Sequence, residues 1–243
     1  MQWPNHPILN AFQKEKDIDV DVESWADERL TPGRSSIVGT LELRRIASIE
    51  PARLVRVWLP AGYQKSTQSY PVLYMLDGQN VFDRATSAIG EEWGVDETLA
   101  QLIESNTIKP MIVVAIDNSS KRVDEYTSIS DGESNRKRGG NAEPFAKWIA
   151  EKLKPQIDRE YRTQANRDST WIGGSSLGGK EGTTENAARG NVERFERLQK
   201  TFTTIVQKQN SNLIVGGRLF PEAKHNESAW RERFAEAIQF IAK

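Results

Sequence analysis

The residues of this 243-residue chain best suited to covalent chemistry are a serine set among glycines and a histidine downstream of it. Gly174-Ser175-Ser176-Leu177-Gly178 fits the pattern G-x-S-x-G and follows a short apolar run, Trp171-Ile172. In that pattern a strand enters a turn too tight for flanking Cβ atoms; the glycines permit it, and the middle serine is pushed out with its hydroxyl exposed. A serine hydroxyl is a poor nucleophile at neutral pH and needs a base beside it, most often an imidazole. The chain has only two histidines, His6 and His225, so the choice of base is narrow. His225 lies in Glu222-Ala223-Lys224-His225-Asn226-Glu227-Ser228-Ala229-Trp230, just ahead of an amphipathic C-terminal segment. A surface histidine that caps that helix is the plainer alternative, and Ser176 is what tips the reading toward a base.

Positioning two such side chains requires strands that end at a common edge. Ser36–Ile49 and Ala52–Leu59 read as two strands, and the Glu50-Pro51 turn between them predicts an antiparallel pair. Tyr70–Leu76 and Pro110–Ile116 are near-continuous apolar runs of the kind found in parallel strands buried on both faces. Helical spacing of apolar residues predicts helices over Glu92–Ser105 (Trp93, Val95, Leu99, Leu102), Glu143–Ile157, Val192–Val206 and Glu227–Ala242. A further strand is expected over Asn212–Phe220, and Asp117–Asn141 reads as a long polar loop. Strands alternating with helices predict an α/β fold, a doubly wound, mostly parallel sheet with ligands at the carboxyl ends of its strands. Residues 1–35 read as an N-terminal extension with a short helix near Val22–Leu30, and 36–243 as a single domain.

Composition narrows the chemistry. A formal net charge of -1 exerts no global pull on nucleic acid or membranes, so neither is expected as a partner. The absence of cysteine excludes disulfides, thiolate metal sites and cysteine nucleophiles, and two isolated histidines argue against a zinc site. Asp117-Asn118-Ser119 offers oxygen ligands without the glycine spacing of a calcium loop, so no metal is assigned. Arg136-Lys137-Arg138 is short enough to be a solvated loop. No window approaches a transmembrane span, and Met1-Gln2-Trp3-Pro4 lacks the start of a signal peptide; the cytoplasm is the expected compartment.

Several segments together resemble the putative-esterase family of α/β hydrolases, which includes esterase D, enterochelin esterases and feruloyl esterases. They are Val57-Trp58-Leu59-Pro60-Ala61-Gly62-Tyr63, the run Tyr70–Asp83, Glu92-Trp93-Gly94-Val95-Asp96, Asp124-Glu125-Tyr126-Thr127, Leu153–Tyr161, the glycine-serine turn, and Lys224–Trp230. The resemblance implies an α/β-hydrolase-like sheet and a cofactor-free serine esterase acting on a small-molecule ester. By position it makes Ser176 the nucleophile and His225 the general base. It forms the oxyanion hole from the backbone N–H groups of Gln79 and Leu177, where position matters and side-chain identity does not. Trp93 and Trp230 are candidate walls of a substrate pocket, with core packing as the alternative for each.

The chain departs from that family after the turn. Ser176 and His225 are 49 residues apart, whereas each strand-crossover-strand unit needs roughly 30 residues or more. Two units do not fit, and Lys180-Glu181-Gly182-Thr183-Thr184-Glu185-Asn186 is polar where an apolar helix is expected. That segment resembles the family's acid-bearing loop, which makes Glu181 the candidate acid, with Glu185 behind it. The sheet is therefore expected to be shortened after the turn, and a homo-oligomer formed by domain swapping is one arrangement that would fill the gap. Alongside ester hydrolysis stand two alternatives: a catalytically impaired remnant serving as a binding module, and an acyltransferase.

Overall fold

The computed structural model describes residues 36–127, 139–175 and 226–242. Five strands form its sheet in the order β1-β2-β4-β3-β5: β1 (Thr40–Ile46), β2 (Arg53–Leu59), β3 (Val72–Leu76), β4 (Ile112–Ile116) and β5 (Thr170–Gly173). β2 runs antiparallel to both β1 and β4, while β3 is parallel to β4 and to β5, so four of these five strands point the same way. The antiparallel pair expected across Glu50-Pro51 is present, with Thr40 opposite Leu59 and Ile46 opposite Arg53. The expected N-terminal extension, the helix over 192–206 and the strand over 212–220 lie outside the described residues.

The apolar runs become strands buried on both faces because helices cover each face. Alternate side chains separate into two clusters, as the two-residue period of a strand requires. On one face Val55, Val57, Val72, Tyr74, Ile112 and Val114 pack beneath α3 (Ala142–Trp148), a π-helical turn (Ile149–Leu153) and α4 (Lys154–Glu160), which contribute Phe145, Trp148, Leu153 and Ile157. On the other, Trp58, Leu73, Met75, Val113 and Ala115 meet α1 (Val95–Glu104) and α5 (Glu227–Ile241) through Val95, Leu99 and Ile238. A fully buried Leu or Ile contributes roughly 1.5–3 kcal/mol relative to exposure, which makes these two layers the main source of stability. α2 (Arg122–Glu125), a single turn, interrupts the loop expected after β4. Among the described residues no helix is long and apolar enough to cross a membrane.

This winding selects one place on the sheet. From β3 the chain crosses through α1 to β4 on one side; from β4 it returns through α3 and α4, on the opposite face, to β5 on the other side of β3. Opposed crossovers with helices on opposite faces are what a single crossover hand demands. The connections diverge at the carboxyl end of β3, and such a switch point opens a crevice where ligands bind in α/β sheets.

Candidate active site

Register brings three strand ends to this crevice. Leu76 of β3 lies opposite Ile116 of β4, and Met75 lies opposite Gly173 of β5. The chain therefore leaves the sheet at Asp77-Gly78-Gln79, at Asp117-Asn118-Ser119 and at Gly174-Ser175, side by side. Ser175 is the last described residue before Ser176, and it is buried. Ser176, Leu177, Glu181 and His225 lie outside the described residues, whereas Gln79, Trp93 and Trp230 lie within them.

The turn after β3 is tightly defined. Asp77 takes a left-handed conformation, φ 59 and ψ 47, and Gly78–Asn80 form one 3₁₀ turn. In that turn Asn80 N–H donates to Asp77 O at 2.9 Å and Val81 N–H to Gly78 O at 3.2 Å. The N–H of Gln79, one step earlier, donates to no acceptor among the described residues, as is usual for the first amides of a helical turn. Glycine at 78 is a packing requirement: a Cβ there would lie 2.7 Å from Asp117 Oδ1 and 2.8 Å from the Ala115 carbonyl carbon.

A left-handed aspartate costs about 1 kcal/mol or more unless its surroundings hold it. Here they do. Arg122 grips the Asp77 carboxylate with a fork, Nε to Oδ1 at 2.6 Å and a terminal nitrogen to Oδ2 at 2.7 Å. Asn118 Nδ2 donates to Asp77 Oδ1 at 2.6 Å, and the Asn118 N–H donates to Gln79 Oε1 at 3.1 Å. The Asp77 side chain raises the Arg122 pKa still further, so the fork is permanently charged. Tyr126 receives the Asp77 N–H at 3.3 Å, and burial pushes its phenol well above the usual range, keeping it neutral.

The loop that carries Asn118 and Arg122 is itself tied to β2. Arg56 forms a fork with Asp117, and Arg53 pairs with Glu125, which also accepts from Ser119 Oγ at 3.3 Å. In the sequence Asp117-Asn118-Ser119 is the start of a polar loop and a poor metal ligand set, and Arg53, Arg56 and Arg122 carry no evident role. The available signal was two arginines in a strand otherwise made of Leu, Val and Trp, since a buried guanidinium needs a buried acid.

The two tryptophans meet. Trp93 and Trp230 pack edge to face with ring centroids 5.5 Å apart. Trp93 is buried and Trp230 half-buried, and both belong to the apolar cluster under α1 and α5. Trp93 N–H donates to Asn80 O at 2.8 Å, next to Gln79, while Trp230 N–H donates to Asn226 O at 3.1 Å. Asn226 caps α5 by accepting the Ala229 N–H at 3.0 Å. The pair thus joins the Gln79 turn to the residue that directly follows His225.

The family model described as Putative esterase matches residues 46–181, more than half of the chain. The ferri-bacillibactin esterase BesA of Bacillus subtilis is 31% identical over 172 residues, covering 61% of this chain and 53% of that protein. The apo-salmochelin esterase of Escherichia coli O6:H1 is 29% identical over 148 residues, 54% of this chain and 42% of that protein. The chain thus spans about half the length of these relatives. Among solved structures, the BES protein from Bacillus cereus aligns with a TM-score of 0.57 at 15% identity, covering 85% of this chain and 96% of that one. An IroE-like serine hydrolase from Shewanella oneidensis aligns with the same score at 19% identity, covering 84% of this chain and 80% of that one. These two likenesses establish the α/β-hydrolase fold. By the extent of the family match, the chain belongs to the Putative esterase family.

Proposed function

We propose that the protein is a serine carboxylic-ester hydrolase that works through an acyl-enzyme. Ser176 Oγ attacks the ester carbonyl while His225 takes its proton; the same imidazole returns that proton to the leaving alcohol and then activates water to release the acid. Glu181 is assigned to hold the imidazole tautomer, the role of the third group in such sites. The Gln79 and Leu177 N–H groups receive the developing oxyanion, a contribution typically of a few kcal/mol per donor. The observation that carries the reading is the Gln79 N–H at the carboxyl end of β3, which donates to no acceptor among the described residues and lies beside the strand end that leads into Ser176. The named activities of the relatives, a ferri-bacillibactin esterase and an apo-salmochelin esterase, support an ester as substrate.

Incubation with a fluorophosphonate probe and with p-nitrophenyl acetate tests this. The wild type should label and turn over, and Ser176→Ala should abolish both. A folded wild-type protein that does neither selects a second reading, a non-catalytic binding module. That reading has one observation in its favour: the family match stops at residue 181, five residues after Ser176.

A further inference from the structure

We propose that Asn118 is a positioning residue for the oxyanion-binding amide of Gln79; the proposal rests on the esterase reading above. Among the described residues Asn118 alone bonds the side chains on both sides of Gly78, donating from Nδ2 to Asp77 Oδ1 at 2.6 Å and from its backbone N–H to Gln79 Oε1 at 3.1 Å. The Gln79 N–H lies in the peptide plane that joins Gly78 to Gln79, and the tilt of that plane follows from the left-handed Asp77 before it and from where the Gln79 side chain is held after it. A residue bonded to both ends therefore fixes where the N–H points. Asn118 can hold that position because its neighbour Asp117 is locked into the sheet by Arg56 and packs directly against Gly78.

Arg122 anchors the same carboxylate but is partly exposed and touches only the Asp77 side. Losing Asn118 Nδ2 should thus leave the turn folded but free to pivot. An oxyanion donor must lie about 2.7–3.1 Å from the developing charge, and loss of one donor outright costs roughly 10²–10³ in kcat. A donor that is present but mobile should cost less, about tenfold. Because the oxyanion forms only in the transition state, the loss falls on kcat rather than on KM.

The test uses the full chain and p-nitrophenyl acetate. Asn118→Ala should lower kcat about tenfold, leave KM within twofold, and speed hydrogen exchange at the amides of 78–81. Asn118→Asp, which sets a second carboxylate against Asp77, should lower kcat further. A wild type that turns over no ester sinks the esterase reading and this proposal with it. An active wild type whose Asn118→Ala variant keeps its kcat within twofold, or loses it only through KM, sinks this proposal alone.

Discussion

Arg56 in β2 and Asp117 beyond the end of β4 are joined by two hydrogen bonds, 2.7 Å and 2.8 Å, with both side chains buried. A buried ion pair contributes little net stability when intact, but removing one partner strands the other charge and costs about 3–5 kcal/mol. Asp117→Ala should therefore destabilise the fold by about that much in urea unfolding. Arg56→Met strands the buried Asp117 carboxylate in the same way, since both oxygens bond to Arg56, and should cost a similar amount. Equal and small effects from both would show that the pair is not holding the loop.

Gly78→Ala tests the same junction sterically. The added methyl would overlap Asp117 Oδ1, Asp117 N and the Ala115 carbonyl carbon, all within 2.8 Å, and two of these are backbone. A flexible side chain could move aside, but backbone cannot, so the turn after β3 must shift or the strands must part. The expectation is a melting temperature lowered by several degrees, together with loss of ester turnover greater than the unfolded fraction explains. Gly62→Ala is the comparison: nothing lies within 4 Å of its Cβ position, though its φ of 80 still leaves some strain.

Stability should fall as pH rises through a window set by Asp96. This carboxyl, fully buried in the first turn of α1, is pushed up to about 8, first by burial and further by Glu97, against the pull of the Val38 N–H at 2.6 Å. The unfolded chain releases this proton near 3.8. Between those values folding takes up a proton, so each step upward in pH costs stability, and above about 8 the loss levels off. Asp96→Asn keeps an oxygen for Val38 and offers an amide to Glu97 without needing a proton. The stability advantage of the variant should be absent near pH 4 and grow to its full size by pH 8. A difference that stays flat over that range would remove the assignment.

Among the described residues the strands and the longer helices are legible in the sequence because their signals are local, whereas the single turn α2 is not. The runs before Asp77 and Asp117 are almost wholly apolar, and Leu99 and Ile238 sit at helical spacing. What stayed hidden was the pairing of charges across elements. Nothing near Arg56 in the chain announces Asp117, 61 positions later, and nothing near Asp77 announces Arg122, 45 positions later. Those partnerships depend on strand order, which places β4 between β2 and β3. The resemblance points to Gln79 by position, but the 3₁₀ turn started by a left-handed aspartate, which leaves its N–H without an acceptor among the described residues, has no local sequence signal.

The Trp93–Trp230 pair offers a test of how the C-terminal helix is joined to the Gln79 turn. Edge-to-face aromatic pairs contribute about 0.5–1.5 kcal/mol beyond the area they bury. Trp230 is only half-buried, so Trp230→Ala should cost about 2 kcal/mol, less than the 3–5 typical of a fully enclosed tryptophan. Trp230→Phe should retain most of the edge contact. A double-mutant cycle with Trp93→Phe isolates the coupling, expected at about 1 kcal/mol. If the pair holds Asn226, the residue after His225, against the turn that carries Gln79, then Trp230→Ala lowers kcat by more than its stability loss explains, while Trp230→Phe does not. Two variants equally active at a temperature where both are folded would assign the pair to core packing alone.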